Sequence, residues 1–390
     1  MNPTNPKNAL NSTNSISPYG EAFPLPQPED YAHELERLKA LVADHRAQGR
    51  EIVVVMGVGF VGAVMAGIIA DSVKKAPNPL PITHYPLPIS GKFVIAMQRP
   101  SPRSFWKIPL MNKGIAPVEA EDPEVAPMIA RCVLEKKTLT ATYTYDALCL
   151  ADVVVVDVQC DYFKETFGNC RQGHAEIAAL EESLKVLGEK IQPHCLVLIE
   201  TTVPPGTTEY VAYPILKKAF ERRFQSEPKT PNSADIIQNS KSKIQNCVCP
   251  EPLIAHSYER VMPGREYVAS IRDFWRVCSG INEEAKAKVV KFLSEILNVE
   301  KFPLTVLDRP VESETCKIVE NSYRATILAF LNEWSLFAER NGTDLINRFG
   351  DRFYSVLSTQ HYFFRPGDRR LLPPQGWGPG SLVLSYPHGF

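Results

Sequence analysis

Three glycines in the run Gly57-Val-Gly59-Phe-Val-Gly62 have the spacing of a turn that holds the pyrophosphate of a dinucleotide. In such a turn the first glycine permits the tight bend, the second lets backbone amides approach phosphate, and the third lets a helix pack close to a strand. The sequence therefore predicts dinucleotide binding, and a glycine-rich turn without a ligand is the alternative. The residues expected to contact the cofactor here are Gly57, Val58, Gly59, Phe60, Val61 and Gly62.

A second part of the same site should follow the apolar segment 93–97, which predicts the next strand. In NAD-binding domains an acidic residue at this point holds the ribose diol, whereas an arginine accommodates a 2′-phosphate. This chain has Gln98 and Arg99 instead of an acid. We expect Gln98 to hydrogen-bond a ribose hydroxyl and NAD to be the cofactor, but Arg99 leaves NADP open.

The string Glu200-Thr-Thr-Val-Pro-Pro-Gly-Thr-Thr-Glu209 follows the apolar segment 196–199. Ligands of parallel sheets bind beyond the carboxyl ends of the strands. We therefore expect Glu200, Thr201 and Thr202 to face the nicotinamide and the reacting carbon. The alternative is that the threonines cap the following helix and the prolines shape its first turn, which accounts for only part of the string.

Lys317 and Asn321 are four residues apart in a helical pattern that reaches about Arg340. Residues at this spacing project from the same helix face. A cation beside an amide can stabilise negative charge that develops on an oxygen atom. The alternative for a single helical lysine is a solvated surface position.

The elements that must position these residues alternate between short apolar runs and helical patterns. Strands are predicted at 51–56, 93–97, 153–157, 196–199 and 276–279, and helices at 31–48 and 176–189, among others. This alternation predicts an α/β fold with a Rossmann-type, doubly wound parallel sheet. The segment 224–245 is polar and rich in Lys, Ser, Asn and Gln, which indicates a surface insertion.

The amino-acid composition argues against several classes of function. The chain has 390 residues, with 43 basic and 44 acidic side chains and 44% hydrophobic residues. No net positive field would attract nucleic acid, and no apolar run is long enough to span a membrane. The Asn-, Pro- and Ser-rich stretch up to about Pro28 predicts a disordered tail rather than a secretory signal. Cys247 and Cys249 lack the spacing of a zinc site, so we expect no metal and a reduced, cytoplasmic protein.

Residues 51–345 resemble the UDP-glucose/GDP-mannose dehydrogenase family. The resemblance is carried by the glycine turn at 57–62, the string 200–209, and two further motifs, Glu259-Arg-Val-Met-Pro-Gly264 and Glu312-Ser-Glu-Thr-Cys-Lys-Ile-Val-Glu-Asn321. The resemblance implies oxidation of the C6 alcohol of a nucleotide sugar to a carboxylate with two NAD, through a cysteine-bound thioester. It implies that Thr202 helps to hold the catalytic water, and that Lys317 and Asn321 contact the reacting oxygen. It also implies that Glu259 and Arg260 contact the substrate and that a long central helix forms a homodimer.

The resemblance implies a domain order for the chain. A tail and leading helix occupy residues 1–49, an NAD-binding domain 50–307 and a central helix 308–345. The family's UDP-binding domain would follow, but we expect it to be absent here. Residues 346–390 show neither helical nor strand periodicity, and no cysteine occurs after Cys316.

Two departures from the family pattern concern the substrate and the chemistry. Pro263 stands where UDP-glucose enzymes have a second glutamate, which resembles the N-acetylmannosamine-type branch. One coding sequence for residues 368–380, read one base later, gives Ile-Gly-Gly-Tyr-Cys-Leu-Pro-Lys-Asp-Gly-Ala-Leu, the expected catalytic loop. We therefore expect an out-of-frame C-terminus and an inactive chain. The alternatives are a non-catalytic NAD-binding or dimerisation module and a Rossmann dehydrogenase of the hydroxyacid type.

Overall fold

The computed structural model describes residues 13–72, 91–163, 173–224, 249–261 and 264–342. The chain divides into two compact units. The first unit comprises Met1–Met262 and Glu266–Lys317, and the second comprises Pro263–Arg265 and Ile318–Phe390. The predicted insertion at 224–245, apart from its first residue, and the segment 346–390 lie outside the described residues.

Short strands and longer helices alternate along most of the described chain. The strands are β1 (Asn14–Ile16), β2 (Ala22–Pro24), β3 (Glu51–Met56), β4 (Lys92–Met97), β5 (Leu139–Thr142), β6 (Val153–Val156), β7 (Asp161–Phe163), β8 (His174–Glu176), β9 (Leu196–Ile199), β10 (Leu253–His256), β11 (Val277–Gly280) and β12 (Thr305–Val306). The helices are α1 (Pro28–Ala47), α2 (Phe60–Asp71), α3 (Lys107–Asn112), α4 (Val125–Ala130), α5 (Ala178–Lys190), α6 (Tyr213–Phe224), α7 (Tyr267–Arg272), α8 (Glu283–Ile296) and α9 (Pro310–Arg340). A 3₁₀ turn spans Tyr145–Leu150, and π-helical turns span Arg131–Glu135 and Thr208–Ala212.

The central element of the first unit is an eight-stranded sheet in the order β12-β11-β10-β9-β6-β3-β4-β5. Neighbouring strands are parallel except for β10 and β11, which are antiparallel. Strands buried on both faces are expected to be continuously apolar, and β3 and β6 meet this expectation with runs of buried aliphatic residues. The sheet confirms the predicted α/β fold, with one antiparallel pair that the sequence did not indicate.

Helices cover both faces of this sheet, as the doubly wound prediction requires. Alternate residues of β3 point to opposite sides: Val53 and Val55 pack with α2, α4, α7 and α8, while Ile52 and Val54 pack with α1, α5 and α6. The switch in strand order lies between β3 and β6, where connections leave the sheet in opposite directions. Ligands bind at such switch points, beyond the carboxyl ends of the strands.

The prediction of a disordered tail up to Pro28 is wrong for part of that segment. β1 and β2 pair as an antiparallel hairpin. Ser15 is buried, and its hydroxyl oxygen accepts a hydrogen bond from the Trp106 backbone amide at 3.1 Å. Phe23 and Leu25 pack against the hydrophobic core. A few apolar anchors thus order a segment whose overall composition indicates disorder.

The long helix α9 lies within the segment 308–345 where the sequence predicts the central helix. It begins with Pro310, a residue favoured at the first position of a helix because the amide there needs no helical partner. Residues 318–340 of α9 form the main described part of the second unit. In the part of the chain that the structure describes, no helix is both long and apolar enough to cross a membrane.

Candidate functional site

The turn after β3 has the geometry that a pyrophosphate-binding turn needs. Gly57 has φ +109°, and a Cβ atom there would lie 2.5 Å from the Asp157 carbonyl oxygen. A Cβ at Gly62 would lie 1.9 Å from the Gly57 carbonyl oxygen, whereas one at Gly59 would meet no atom within 4 Å. The two outer positions are therefore crowded by protein and the middle one borders open space. This is the pattern expected if protein backbone approaches a ligand at Gly59.

The start of α2 adds to the fit with a dinucleotide. The helix begins at Phe60 with Gly59 as its N-cap, and its first turn contains no acidic residue. The unpaired amides and the helix dipole favour a negative charge at such an end. The Phe60 ring is partly exposed and stacks on Tyr267 with ring centroids 4.7 Å apart. These residues fit a dinucleotide, with the phosphates at the turn.

The segment after β4 holds the other side of the turn. The Gln98 side-chain oxygen accepts a hydrogen bond from the Val58 amide at 2.8 Å, and the Lys107 ammonium donates to the Val58 carbonyl at 2.9 Å. Gln98, predicted to bind ribose, thus also fixes the turn, while Val58 itself is buried. The Arg99 side chain is 68% exposed. Of the two predicted ribose contacts, Arg99 is the one that projects into solvent.

Glu200, predicted as a cofactor contact, lies inside the protein. Its residue surface is 0% exposed, and its carboxylate pairs with the equally buried Arg276. The Arg276 side chain also donates to the Ser257 hydroxyl at 3.2 Å. Burying a charge is costly unless it is paired, so this pair joins β9 to the neighbouring part of the sheet. The Glu200 side chain faces the interior in this structure, and its contact with a cofactor stays a prediction.

Thr201 uses its hydroxyl within the sheet as well. That hydroxyl donates to the carbonyl oxygens of Val156 at 3.1 Å and Val158 at 2.9 Å. It therefore ties the carboxyl ends of β6 and β9 together. Thr202 follows directly and is half-buried. Its contact with a catalytic water stays a prediction.

The Pro-Pro-Gly part of the string wraps around a carboxylate from α9. Glu314 is fully buried and accepts hydrogen bonds from the Gly206 amide at 2.5 Å, the Thr208 amide at 2.8 Å and the Thr208 hydroxyl at 2.6 Å. In return, Glu209 accepts from the Val311 amide at 3.2 Å at the start of α9. The two sequence motifs are thus partners in one interaction, which sequence spacing does not reveal.

Lys317 and Glu259 come together although 58 residues separate them. The Lys317 ammonium lies 2.6 Å from a Glu259 carboxylate oxygen, donates to the Glu259 carbonyl at 2.9 Å and lies 5.3 Å from the centre of the Tyr258 ring. A buried ammonium beside a carboxylate can stabilise charge on a reacting oxygen while the carboxylate takes up a proton. Arg260 is directed to the Phe274 ring, 4.6 Å away.

Asn321 lies one helical turn beyond Lys317 in the sequence and is exposed on α9. It belongs to the second unit, whereas Lys317 belongs to the first. Its predicted contact with the reacting oxygen stays a prediction.

Asp157 was not singled out from the sequence, but it connects the glycine turn with the Lys317–Glu259 pair. Its backbone crowds Gly57, and its side-chain oxygen Oδ2 is buried with no hydrogen-bond partner. Burial, together with the negative charge of Glu259, raises the pKa of Asp157 to about 7. An acid at the carboxyl end of an all-valine strand is the signal that could have drawn attention to it.

His256 is a second buried titratable group near this pair. Its Nδ1 atom lies 2.7 Å from the Ser313 hydroxyl of α9. Burial, and to a smaller degree the charge of Lys317, lowers the pKa of His256 to about 3. His256 is therefore neutral near pH 7 and links β10 to α9 by a hydrogen bond rather than an ion pair.

Comparison with known proteins finds nucleotide-sugar dehydrogenases among the proteins to which this chain is similar. The relatives include UDP-N-acetyl-D-mannosamine dehydrogenase of Pyrococcus horikoshii, 26% identical over 170 residues, which are 44% of this chain and 34% of that protein. They also include UDP-glucose 6-dehydrogenase of Rickettsia conorii, 24% identical over 61% of this chain and 45% of that protein. The chain matches less than half the length of either relative.

Solved structures show the same fold. NDP-N-acetyl-D-galactosaminuronic acid dehydrogenase from Methanosarcina mazei Go1 superposes with a TM-score of 0.55 at 22% identity, over 84% of this chain and 57% of that one. Residues 104–293 match the NAD-binding domain of the UDP-glucose/GDP-mannose dehydrogenase family. This match begins after the glycine turn and ends within α8. Residues 104–293 therefore carry the NAD-binding domain of the UDP-glucose/GDP-mannose dehydrogenase family.

Proposed function

We propose that this chain binds a nicotinamide adenine dinucleotide at the turn after β3, as the cofactor half of a nucleotide-sugar 6-dehydrogenase. The observation that carries the proposal is the open space at Gly59 between the crowded Gly57 and Gly62. The acid-free start of α2 suits the phosphates. When bound, the cofactor supplies the hydride acceptor for oxidation of an alcohol.

The substrate of the complete reaction is proposed to be a UDP-sugar of the glucose or N-acetylmannosamine type. The Lys317–Glu259 pair supports this because it places a cation and a proton acceptor together in a largely buried position. Such a pair can hold an alcohol oxygen and accept its proton as the carbon is oxidised. We assign Thr202 and Asn321 as further substrate-side residues and Arg260 as a substrate contact.

Oxidation to a carboxylate also needs a nucleophilic thiolate that captures the aldehyde. Burial raises the pKa of Cys132, Cys149, Cys160, Cys195 and Cys278 above the usual range of a thiol. A raised pKa disfavours the reactive thiolate. We therefore propose that these cysteines do not act as the nucleophile and that the chain binds cofactor without completing the second oxidation.

Calorimetric titration of the full chain with NAD⁺ and NADP⁺, followed by absorbance assays at 340 nm with UDP-glucose and UDP-N-acetylmannosamine, tests the proposal. Binding of a dinucleotide, with at most one reduced cofactor formed per sugar, is the expected result. Two reduced cofactors per sugar would contradict the assignment of the cysteines. One reduced cofactor with a free carbonyl product would favour a hydroxyacid-type reaction, and failure to bind either dinucleotide would overturn the proposed function.

A further inference from the structure

We propose that the loop after β4, residues 98–107, selects a dinucleotide that carries a phosphate on its adenosine ribose, so that NADP binds in preference to NAD. The inference rests on the proposed function, since it assumes that the glycine turn holds the pyrophosphate. It concerns the other end of the same ligand, where the ribose meets the protein.

The position of the loop follows from strand register. β4 is parallel to β3, and Met97 is paired with Met56. The Gly57 amide donates to the Met97 carbonyl at 2.9 Å. Residues that follow Met97 therefore lie beside the glycine turn, which is where a Rossmann domain recognises the ribose hydroxyls.

No residue of this loop can serve as the carboxylate that accepts hydrogen bonds from a ribose diol. Residues 98–107 are Gln-Arg-Pro-Ser-Pro-Arg-Ser-Phe-Trp-Lys, with three cations and no acid. The first side chain, Gln98, already accepts the Val58 amide hydrogen bond through its oxygen. An uncharged amide in place of the acid removes the repulsion that would exclude a phosphate.

The loop instead presents donors suited to a phosphate. Arg99 and Arg103 are exposed, and a guanidinium can bind phosphate through two parallel hydrogen bonds. The hydroxyls of Ser101 and Ser104 lie 2.7 Å apart, and the Ser104 hydroxyl also contacts the Arg99 carbonyl at 3.3 Å. This hydrogen bonding holds the two serines next to the arginine. The Gln98 amide nitrogen is 3.5 Å from the Ser104 hydroxyl, which keeps the group together.

The charge around Arg99 leaves it available to a ligand. Among the described residues Arg99 pairs with Glu182, whose carboxylate oxygen is 4.0 Å from Arg99 Nη1, and both side chains are about 70% exposed. Exposed pairs of this kind contribute little because water and salt screen them. A phosphate monoester, with close to two negative charges at neutral pH, would compete for the guanidinium.

Titration of the full chain with NADP⁺, NAD⁺ and the fragment 2′,5′-ADP, each at low and at physiological salt, tests the inference. We expect NADP⁺ to bind about tenfold or more tightly than NAD⁺ at low salt, with a smaller ratio at higher salt because the charges are exposed. We also expect 2′,5′-ADP to compete with NADP⁺. Arg99→Ala and Arg103→Ala should each reduce the ratio of NADP⁺ to NAD⁺ affinity by about tenfold.

Two further variants sharpen the result. Gln98→Glu retains an oxygen for the Val58 amide and adds the missing negative charge, so it should shift the preference toward NAD⁺. Arg222→Ala removes another exposed arginine, which pairs with Glu189 on α5, and should leave the ratio unchanged. Tighter binding of NAD⁺ than NADP⁺ by the wild type, or equal binding, overturns the inference but not dinucleotide binding. Binding of neither cofactor overturns both.

Discussion

The three glycines of the turn have different roles, and substitutions can separate these roles. Gly62 is crowded by the Gly57 carbonyl, whereas Gly59 borders open space and has φ −89°, which any residue can adopt. The first role is structural and the second concerns a ligand. An added methyl group should therefore reduce stability at Gly62 and reduce ligand binding at Gly59.

We expect Gly59→Ala to leave the melting temperature nearly unchanged and to weaken dinucleotide binding about tenfold or more, because the added methyl group occupies space that the pyrophosphate needs. Gly62→Ala should destabilise the fold by more than about 2 kcal/mol, since backbone must move to make room. Thermal unfolding and calorimetric titration of both variants check this. Equal loss of stability in the two variants would contradict the division of roles.

Asp157 predicts a pH dependence of stability. Its folded pKa of about 7 is above the unfolded value of 3.8. The folded state therefore binds the proton more tightly than the unfolded state does. The stability that comes from protonated Asp157 is lost as pH rises from about 4 to about 7. Relative to wild type, Asp157→Asn should be more stabilising at pH 8 than at pH 5. The difference between the two pH values should be more than about 1 kcal/mol. Urea unfolding at both pH values measures this difference, and a pH-independent effect of the substitution would refute it.

Among the secondary-structure elements, apolar runs were sufficient to predict β3, β4, β6, β9 and β11 to within one residue at either end. They did not indicate β5, whose Thr140 and Thr142 interrupt the apolar pattern, or the four-residue β10. The hairpin of β1 and β2 was missed because Phe23 and Leu25 are isolated apolar residues in a polar segment. Such anchors have an effect only once a surface exists for them to contact.

The glycine turn could be predicted because all of its determinants lie within a few residues of one another. The partners of Glu200, Glu314 and Lys317 could not, since they are 76, 108 and 58 residues away in the sequence. Periodicity carries no information about such pairs. Sequence reasoning therefore singled out these motifs but could not indicate that Glu200 pairs with Arg276.

The interaction of α9 with the turn after β9 gives a prediction about element packing. Glu314→Ala would leave two amides and one hydroxyl without their buried acceptor, so we expect a loss of about 3 kcal/mol or more in the free energy of unfolding. The matched control is Glu312→Ala on the same helix. Glu312 is exposed and accepts from the Asp308 and Arg309 amides, both at 3.0 Å, so its loss should cost about 1 kcal/mol. Similar losses for both variants would show that Glu314 does not hold the turn.

Several large apolar side chains of α9 are exposed in the second unit. Phe330, Trp334 and Phe337 are 58%, 49% and 59% exposed and recur at the spacing of one helix face. Their rings contact one another, with centroids 6.2 Å and 5.5 Å apart. Large exposed apolar surfaces are typical of protein interfaces. We propose that this face forms the homodimer that the family resemblance implies.

Light scattering coupled to size-exclusion chromatography tests this proposal on the full chain. We expect the wild type to be a dimer and Trp334→Asp to be a monomer at the same concentration, because a charge placed in the centre of an apolar interface must be desolvated. Asn332→Asp adds the same charge about 200° around the helix from Trp334 and should leave the dimer intact. Since dinucleotide binding is attributed to the first unit, both variants should bind cofactor as the wild type does. A monomeric wild type, or a dimer that tolerates Asp at position 334, would show that this face has another role.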